Sequence, residues 1–502
     1  MRPDEPITLT IYLRHRRPVR RRPGSGIDLA ELTRRVSHQQ LKDERERVLK
    51  RPVGQVGRLA ARYGLKVVGV DFLRRCMTLR GAACDVERAF ATKLMGVDDI
   101  AGGRRHCPAR KPRLPRPLSD IAHAVLGLDT RSIPLDKLRG HAGPNGDAGL
   151  YPSEMARLYG IGTAGRGAGQ CVAILAPVGG YDPDDVKAAC RAMKVPVPDM
   201  VDISVGNGRN TVGADAIADR EVALDVQVVA GTAPAARVAV YFTESDQAGL
   251  LAGVCEAVHG SRARPNVIVI TWGQPEEAWN PDIRKALDAV LQDAMRLGIT
   301  VVASSGDDLA NDRVPDGMVH VDYPASSPYV LGCGGTSITL DAGRTKIVGE
   351  VVWNSGRHGT GGGISTFYGV PAFQSGVPLP DSPNDGKRGR GVPDVAAAAG
   401  ETNGYRIVLG KSEIVSSGTS AVAPLWGALI GLINEQRGAA LGFVNSRIYQ
   451  APQMFNRVTS GNNFDSFFKL GYEAAPDGSW NACTGLGTPN GAAIIAALTA
   501  VA

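Results

Sequence analysis

The chain has 502 residues, of which 43% are apolar and 21% charged, a balance that excludes a disordered protein and implies two or three domains. No run of eighteen apolar residues occurs, so no transmembrane helix is expected, and the start, MRPDEPITLTIYLRHRRPVRRR, has no apolar h-region of signal-peptide type. The net charge of +7 conceals an asymmetry: residues 1–140 carry 31 basic and 15 acidic side chains, net +16, and the remainder is net −9. A basic front half suits nucleic acid, or the two halves attract each other. The front has few aromatics (Tyr12, Tyr63, Phe72, Phe90) and no nucleic-acid motif, which favours mutual attraction and no nucleic-acid partner.

In chain order, residues 7–13 read as a strand, 28–51 as a polar amphipathic helix, 53–71 as a helix followed by a strand, and 84–94 as a further helix. Together they form a small α+β domain over 1–130. Pro, Gly and Asn then mark an exposed linker over 131–149. From 150 to 502 the pattern changes. CVAILA (171–176), RVAVYF (237–242), NVIVIT (266–271) and ITVVAS (299–304) are short apolar runs of buried-parallel-strand type. Helices are expected between them at 215–230, 247–259 and 281–297. The alternation predicts an α/β parallel sheet with flanking helices, whose chemistry sits at the strands' carboxyl ends. The eight cysteines form no C-x-x-C pair, which excludes zinc-ligand spacing; buried free thiols are expected, with one or two disulfides open in an exported protein.

Three segments carry candidate chemistry. In DREVALDVQVVAG (219–231), Glu221 and Asp225 share one helix face. They form either a solvated acidic face or a carboxylate pair meeting a partner. In VVASSGDD (301–308), Asp307 is either a turn former or an acid at a strand's end. In SSGTSAVAPLWGALI (416–430), Ser420 is either an N-cap or a nucleophile at a helix start, where amides favour developing negative charge.

The motifs EVALDVQVVAG, VIVITWGQPE, TVVASSGDD, VVWNSGRHGTGGGIS, GRGVPDVAA, SGTSAVAPLWGAL and WNACTGLGTPNG occur in this order across 170–495. In that order they resemble the sedolisin family of serine-carboxyl peptidases, kumamolisin branch. The front region resembles the family's activation prosegment. The resemblance implies a subtilisin-like fold behind a ferredoxin-like prodomain, with Ser420 as nucleophile, Glu221 as base, Asp225 as its orienting carboxyl and Asp307 as oxyanion-hole acid. It places Trp272 in the supporting network and Gly361, Gly362, Gly363 and Ser365 along the substrate. It implies an endopeptidase of peptides and proteins made as a self-activating zymogen, inhibited by its own prosegment, monomeric, secreted by analogy and independent of membranes. A Glu base and a protonated Asp donor suit roughly pH 3–5. The alternative is an inactive homologue that binds peptides.

A His-triad subtilisin is the rival. Its only lookalike motif, HGTG at 358–361, is read as a substrate-lining strand with His358 in a loop. Three departures stand out. The family's calcium-site positions fall on Arg457, Val458, Gly478 and Asn481, with both carboxylates missing; no cofactor is required, and calcium, though expected from the family, is not expected to bind. Asp465 and Asp477 are the replacement ligands considered. Ala176 stands where relatives have a Glu behind the base, and Asp308 adjoins Asp307.

Overall fold

The computed structural model describes residues 1–14, 35–98, 104–116, 118–131, 141–142, 149–163 and 165–500. The start of the helix expected at 28 and most of the 131–149 linker lie outside these residues. The front domain has β1 (Pro6–Leu13), α1 (His38–Arg62), β2 (Lys66–Asp71), β3 (Cys76–Ala82), α2 (Ala83–Phe90), a hairpin of β4 (Leu94–Asp98) and β5 (Arg104–Pro108), and β6 (Ala122–Leu126); the short strand β7 (His141–Ala142) follows it. Its antiparallel sheet has the order β2-β3-β1-β6, a βαββαβ arrangement. The two expected helices at 28–51 and 53–71 are one. Ser37 caps α1 with a reciprocal Gln40 bond, and the helix runs through Pro52 because Leu41, Leu49, Val56 and Ala60 continue one buried face across it. Packing overrides the local break signal.

From residue 150 the chain forms an eight-stranded sheet. In order along it lie β14 (Ile347–Val352), β13 (Leu331–Leu340), β12 (Thr300–Ser304), β11 (Val267–Ile270), β8 (Cys171–Ala176), β10 (Arg237–Phe242) and β9 (Met200–Ser204), with β15 (Val395–Ala398) also on β13. Only the β13–β14 pair is antiparallel. The strands and helices expected from apolar runs are all present, helices α3 (Ala216–Thr232), α4 (Gln247–His259) and α5 (Pro281–Leu297) among them. Helix α6 (Thr419–Arg437) is buried from Thr419 to Asn434, as expected of a helix apolar all round, and it packs on α3. All eight cysteines are free. No helix among the described residues is long and apolar enough to cross a membrane.

The front domain docks through the second face of its sheet. Ile7, Leu9, Ile11 and Leu13 of β1 fill its own core, whereas Tyr12 and Ala124 join the core around α4 and α5. Asp293 on α5 receives Arg45 and Arg75 from the front domain, and His259 Nε2 lies 3.1 Å from its other oxygen. Burial alone would raise Asp293, yet Arg75 and Arg45, with His259, outweigh it and hold the carboxyl far below the ordinary range. Arg74–Glu256 at 2.6 Å and Arg296–Glu44 at 2.7 Å flank this cluster.

Candidate active site

Ser420 is not a cap. The N-cap of α6 is Gly418, at φ 120°, and Ser420 is the second residue of the first turn, with no exposed surface. The strand Ser412–Ser417 delivers the chain to this point, and Gly418 N donates to Ala399 O at 2.8 Å. Glycine is required at 418 for two reasons. The backbone is left-handed, and a Cβ would stand 2.4 Å from Asp307 Oδ2. Asp307 lies beyond the end of β12. Its Oδ1 accepts the Thr419 amide and hydroxyl, both at 2.7 Å, and Oδ2 forms no hydrogen bond. Burial pushes this carboxyl up to about 7, with the Asp308 and Glu401 charges adding to the rise.

Glu221 and Asp225 face inward from α3, each 1% exposed, so the solvated-face reading fails. Asp225 Oδ2 accepts the Thr271 hydroxyl at 2.7 Å, and its other oxygen makes no hydrogen bond. Burial raises Glu221, as does Asp307; the Ser420 and Thr271 hydroxyls act on it in the opposite direction. This places Ser420 and Glu221 in electrostatic contact, though the Ser420–Glu221 hydrogen bond itself is not closed. Burial first, then Glu221, raise Asp225 further. Each buried carboxyl disfavours the other's ionisation, so the two titrate as a coupled pair. The Trp272 indole N–H is buried without an acceptor, and Ala176, at the end of β8, offers no side-chain oxygen.

The glycine row packs against the end of β12. Gly361 N donates to Gly306 O at 2.8 Å, and Thr419 Oγ1 lies 3.2 Å from the same carbonyl. A Cβ at 361 would meet Ser305 O at 2.1 Å. Gly362 O accepts from Asn463, and Gly363 pairs with Val392. Ser365 turns its hydroxyl into buried Glu276 rather than outward. None of the six histidines with described side chains bonds to Ser420; His358 lies against Asp308 and Arg313. The residues missed in the sequence are Thr271 and Thr419. Thr271 ends one of the apolar runs and Thr419 adjoins the candidate Ser, so polarity at a strand's carboxyl end was the available signal.

The implied calcium does not suit its expected donors. Arg457 Nη1 donates to Leu486 O at 3.2 Å, and its stem lies against Gly478. Asn481 Oδ1 accepts from Cys483 N, Thr484 N and Thr484 Oγ1. Asp465 closes its own loop by accepting from Phe467 N, Phe468 N and Leu470 N, and Asp477 accepts from Ser479 N. A guanidinium in place of one carboxylate, and a saturated amide oxygen in place of the other, repel or ignore a hard dication.

No protein-family model matches the chain. Kumamolisin of Bacillus sp. (strain MN-32) is 37% identical over 459 residues, 88% of this chain and 82% of that protein. Sedolisin of Pseudomonas sp. (strain 101) is 30% identical over 450 residues, 83% of this chain and 73% of that protein. The solved structure of Pseudomonas sedolisin, a serine-carboxyl proteinase complexed with pseudo-iodotyrostatin, aligns with TM-score 0.62 and 28% identity over 70% of this chain and 98% of its own. The chain belongs to the sedolisin family. It is a serine-type peptidase with the family's subtilisin-like α/β fold.

Proposed function

We propose that the protein is an acid-active endopeptidase in which Ser420 attacks the peptide carbonyl. Glu221 takes the hydroxyl proton, Asp225 holds Glu221 through the shared proton, and Asp307 Oδ2–H with the Ser420 amide stabilises the oxyanion. The observation that supports this reading is a chain of three buried carboxyls at the start of α6: the Ser420 hydroxyl acts on Glu221, Asp225 adjoins Glu221 on α3, and Asp307 accepts from Thr419, the residue before Ser420. Asp307 donates only while protonated, and its raised pKa secures that throughout the acid range. The pair keeps one proton between its two carboxyls, and the charge it carries is assigned to Glu221, the group on which the Ser420 hydroxyl acts. The expected working range remains roughly pH 3–5.

The full chain is read as a zymogen, with residues 1–130 as prosegment and 131–149 as the segment cut on maturation. The backbone of His141–Ala142 pairs antiparallel with Ser416–Ser417, just ahead of the nucleophile, which supports a linker lying beside the site. Enclosure keeps Glu221 protonated and inert; opening the site to water and substrate lowers its pKa and frees the base. The arginines on Asp293, Arg74 on Glu256 and the reversed Arg296–Glu44 pair hold the prosegment. No calcium is required, since Arg457 ties its segment to Leu486 instead. Secretion and a monomeric state complete the reading by analogy. Casein digestion by wild type and Ser420→Ala, with the matured N-terminus sequenced, tests it. Turnover and maturation in wild type alone are expected; wild-type folding without turnover would favour the peptide-binding alternative.

A further inference from the structure

The residue after the oxyanion acid is itself an acid, and the structure surrounds it with an arrangement that the catalytic reading does not use. Asp308 sits on the strand extension that carries Asp307. That extension is zipped to the glycine row: Gly359 N donates to Asp307 O at 2.9 Å and Leu309 N to Gly359 O at 3.0 Å. A Cβ at Gly359 would stand 2.7 Å from the backbone carbonyl oxygen of Trp353, so the approach depends on glycine. Beyond it the chain turns sharply, with Leu309, Asp312 and Arg313 all left-handed at φ 63°, 46° and 55°. Such conformations cost energy for non-glycine residues and persist where surrounding contacts hold them. This turn brings Arg313 back onto Asp308, Nη2 to Oδ1 at 2.5 Å, and onto His358 Nδ1 at 3.0 Å. His358 Nδ1 lies 3.6 Å from the same Asp308 oxygen. An imidazole nitrogen that accepts from a guanidinium is unprotonated, so His358 orients Arg313 without adding charge.

We propose that Asp308, set by Arg313 and His358, is a positioning residue that keeps the proton on Asp307, whose role as oxyanion donor is assumed from the function proposed above. Its carboxylate is a fixed negative charge one residue from Asp307 and little exposed, so screening by water is weak. Removing a proton from Asp307 would place two anions side by side. The other groups facing Asp307 are Glu401, Asp322 and Glu221, all acidic, and the donors of Thr419. Asp312 acts on Asp322 behind them. Glu401 is fixed by Trp353 Nε1 at 3.0 Å and Ser355 Oγ at 3.1 Å. Arg313 is the cation that Asp308 meets, so its loss unmasks the Asp308 charge, whereas loss of Asp308 removes that charge.

The two substitutions therefore move activity in opposite directions along the pH axis. Asp308→Asn should shift the alkaline limb of kcat/KM to lower pH by roughly half a unit, and Arg313→Gln should shift it upward by a similar amount. Arg313 is 41% exposed, so its variant tests the idea even if Asp308→Asn folds poorly. A merely structural role would lower rates in both variants and leave the limb in place; that result, or shifts of the same sign, overturns the proposal. Asp307→Asn is run alongside. If it retains wild-type activity, the oxyanion reading itself fails, a separate outcome from static limbs in the other two variants.

Discussion

Asp307 and Thr419 are joined twice, because one carboxyl oxygen accepts both the amide and the hydroxyl of the threonine at 2.7 Å. With Oδ1 occupied as an acceptor, Oδ2, the oxygen facing Gly418, is the one on which the proposed donor proton would sit. Thr419→Val removes one of these donors, worth about 0.5–1.5 kcal/mol to a neutral carboxyl. A loss of roughly twofold to tenfold in kcat/KM is expected, with Thr419→Ser close to wild type. Initial rates on casein measure both.

The buried acids also set how stability depends on pH. Asp307 binds its proton more tightly folded, at about 7, than unfolded, in the ordinary carboxylate range. Stability from it is complete below the unfolded value and lost as pH rises through the folded one, and Asp225 acts in the same sense. The peptidase should melt at higher temperature near pH 4 than near pH 7, and Asp307→Asn should flatten that slope. Thermal scans of Ser420→Ala, which cannot digest itself, provide the measurement.

The prosegment contact behaves differently. Asp293 is held far below the ordinary range, so its stabilising contribution is complete above the unfolded value and is lost progressively as pH falls from there toward the much lower folded one. The charge asymmetry of the two halves predicts attraction between them; at Asp293 that attraction persists until the carboxyl itself is protonated, and burial shields it from salt. Asp293→Asn strands two buried arginines and should weaken the contact by about 3–5 kcal/mol. Separation of the front domain after cleavage in neutral buffer, followed by gel filtration, is expected for that variant and not for wild type.

Arg457 makes a metal-free C-terminal region testable. Chelator should leave the melting temperature and activity unchanged, and added calcium should not raise them. Destabilisation by chelator would show that oxygens other than those considered bind the ion.

Much of this architecture was legible because apolar runs such as CVAILA and RVAVYF report full burial directly, and both became strands at the positions read. Strand β3 was not, since Cys76–Ala82 carries Thr, Arg and Gly and is half-buried. The continuity of α1 through Pro52 depended on contacts beyond the local sequence. At the site, spacing put Glu221 and Asp225 on one face but left open whether water or Ser420 lay opposite. Burial on both sides of α3 decides that, and it is a property of the α3–α6 packing.

The account depends on a carboxylate, not an imidazole, activating Ser420. The most direct measurement is kcat/KM of the matured wild type and of Glu221→Gln on one peptide substrate from about pH 2 to pH 8. An acid optimum in wild type, with a loss of more than about a thousandfold in Glu221→Gln at every pH, is the expected result. Near-wild-type rates in Glu221→Gln, or an optimum above neutrality, would contradict it.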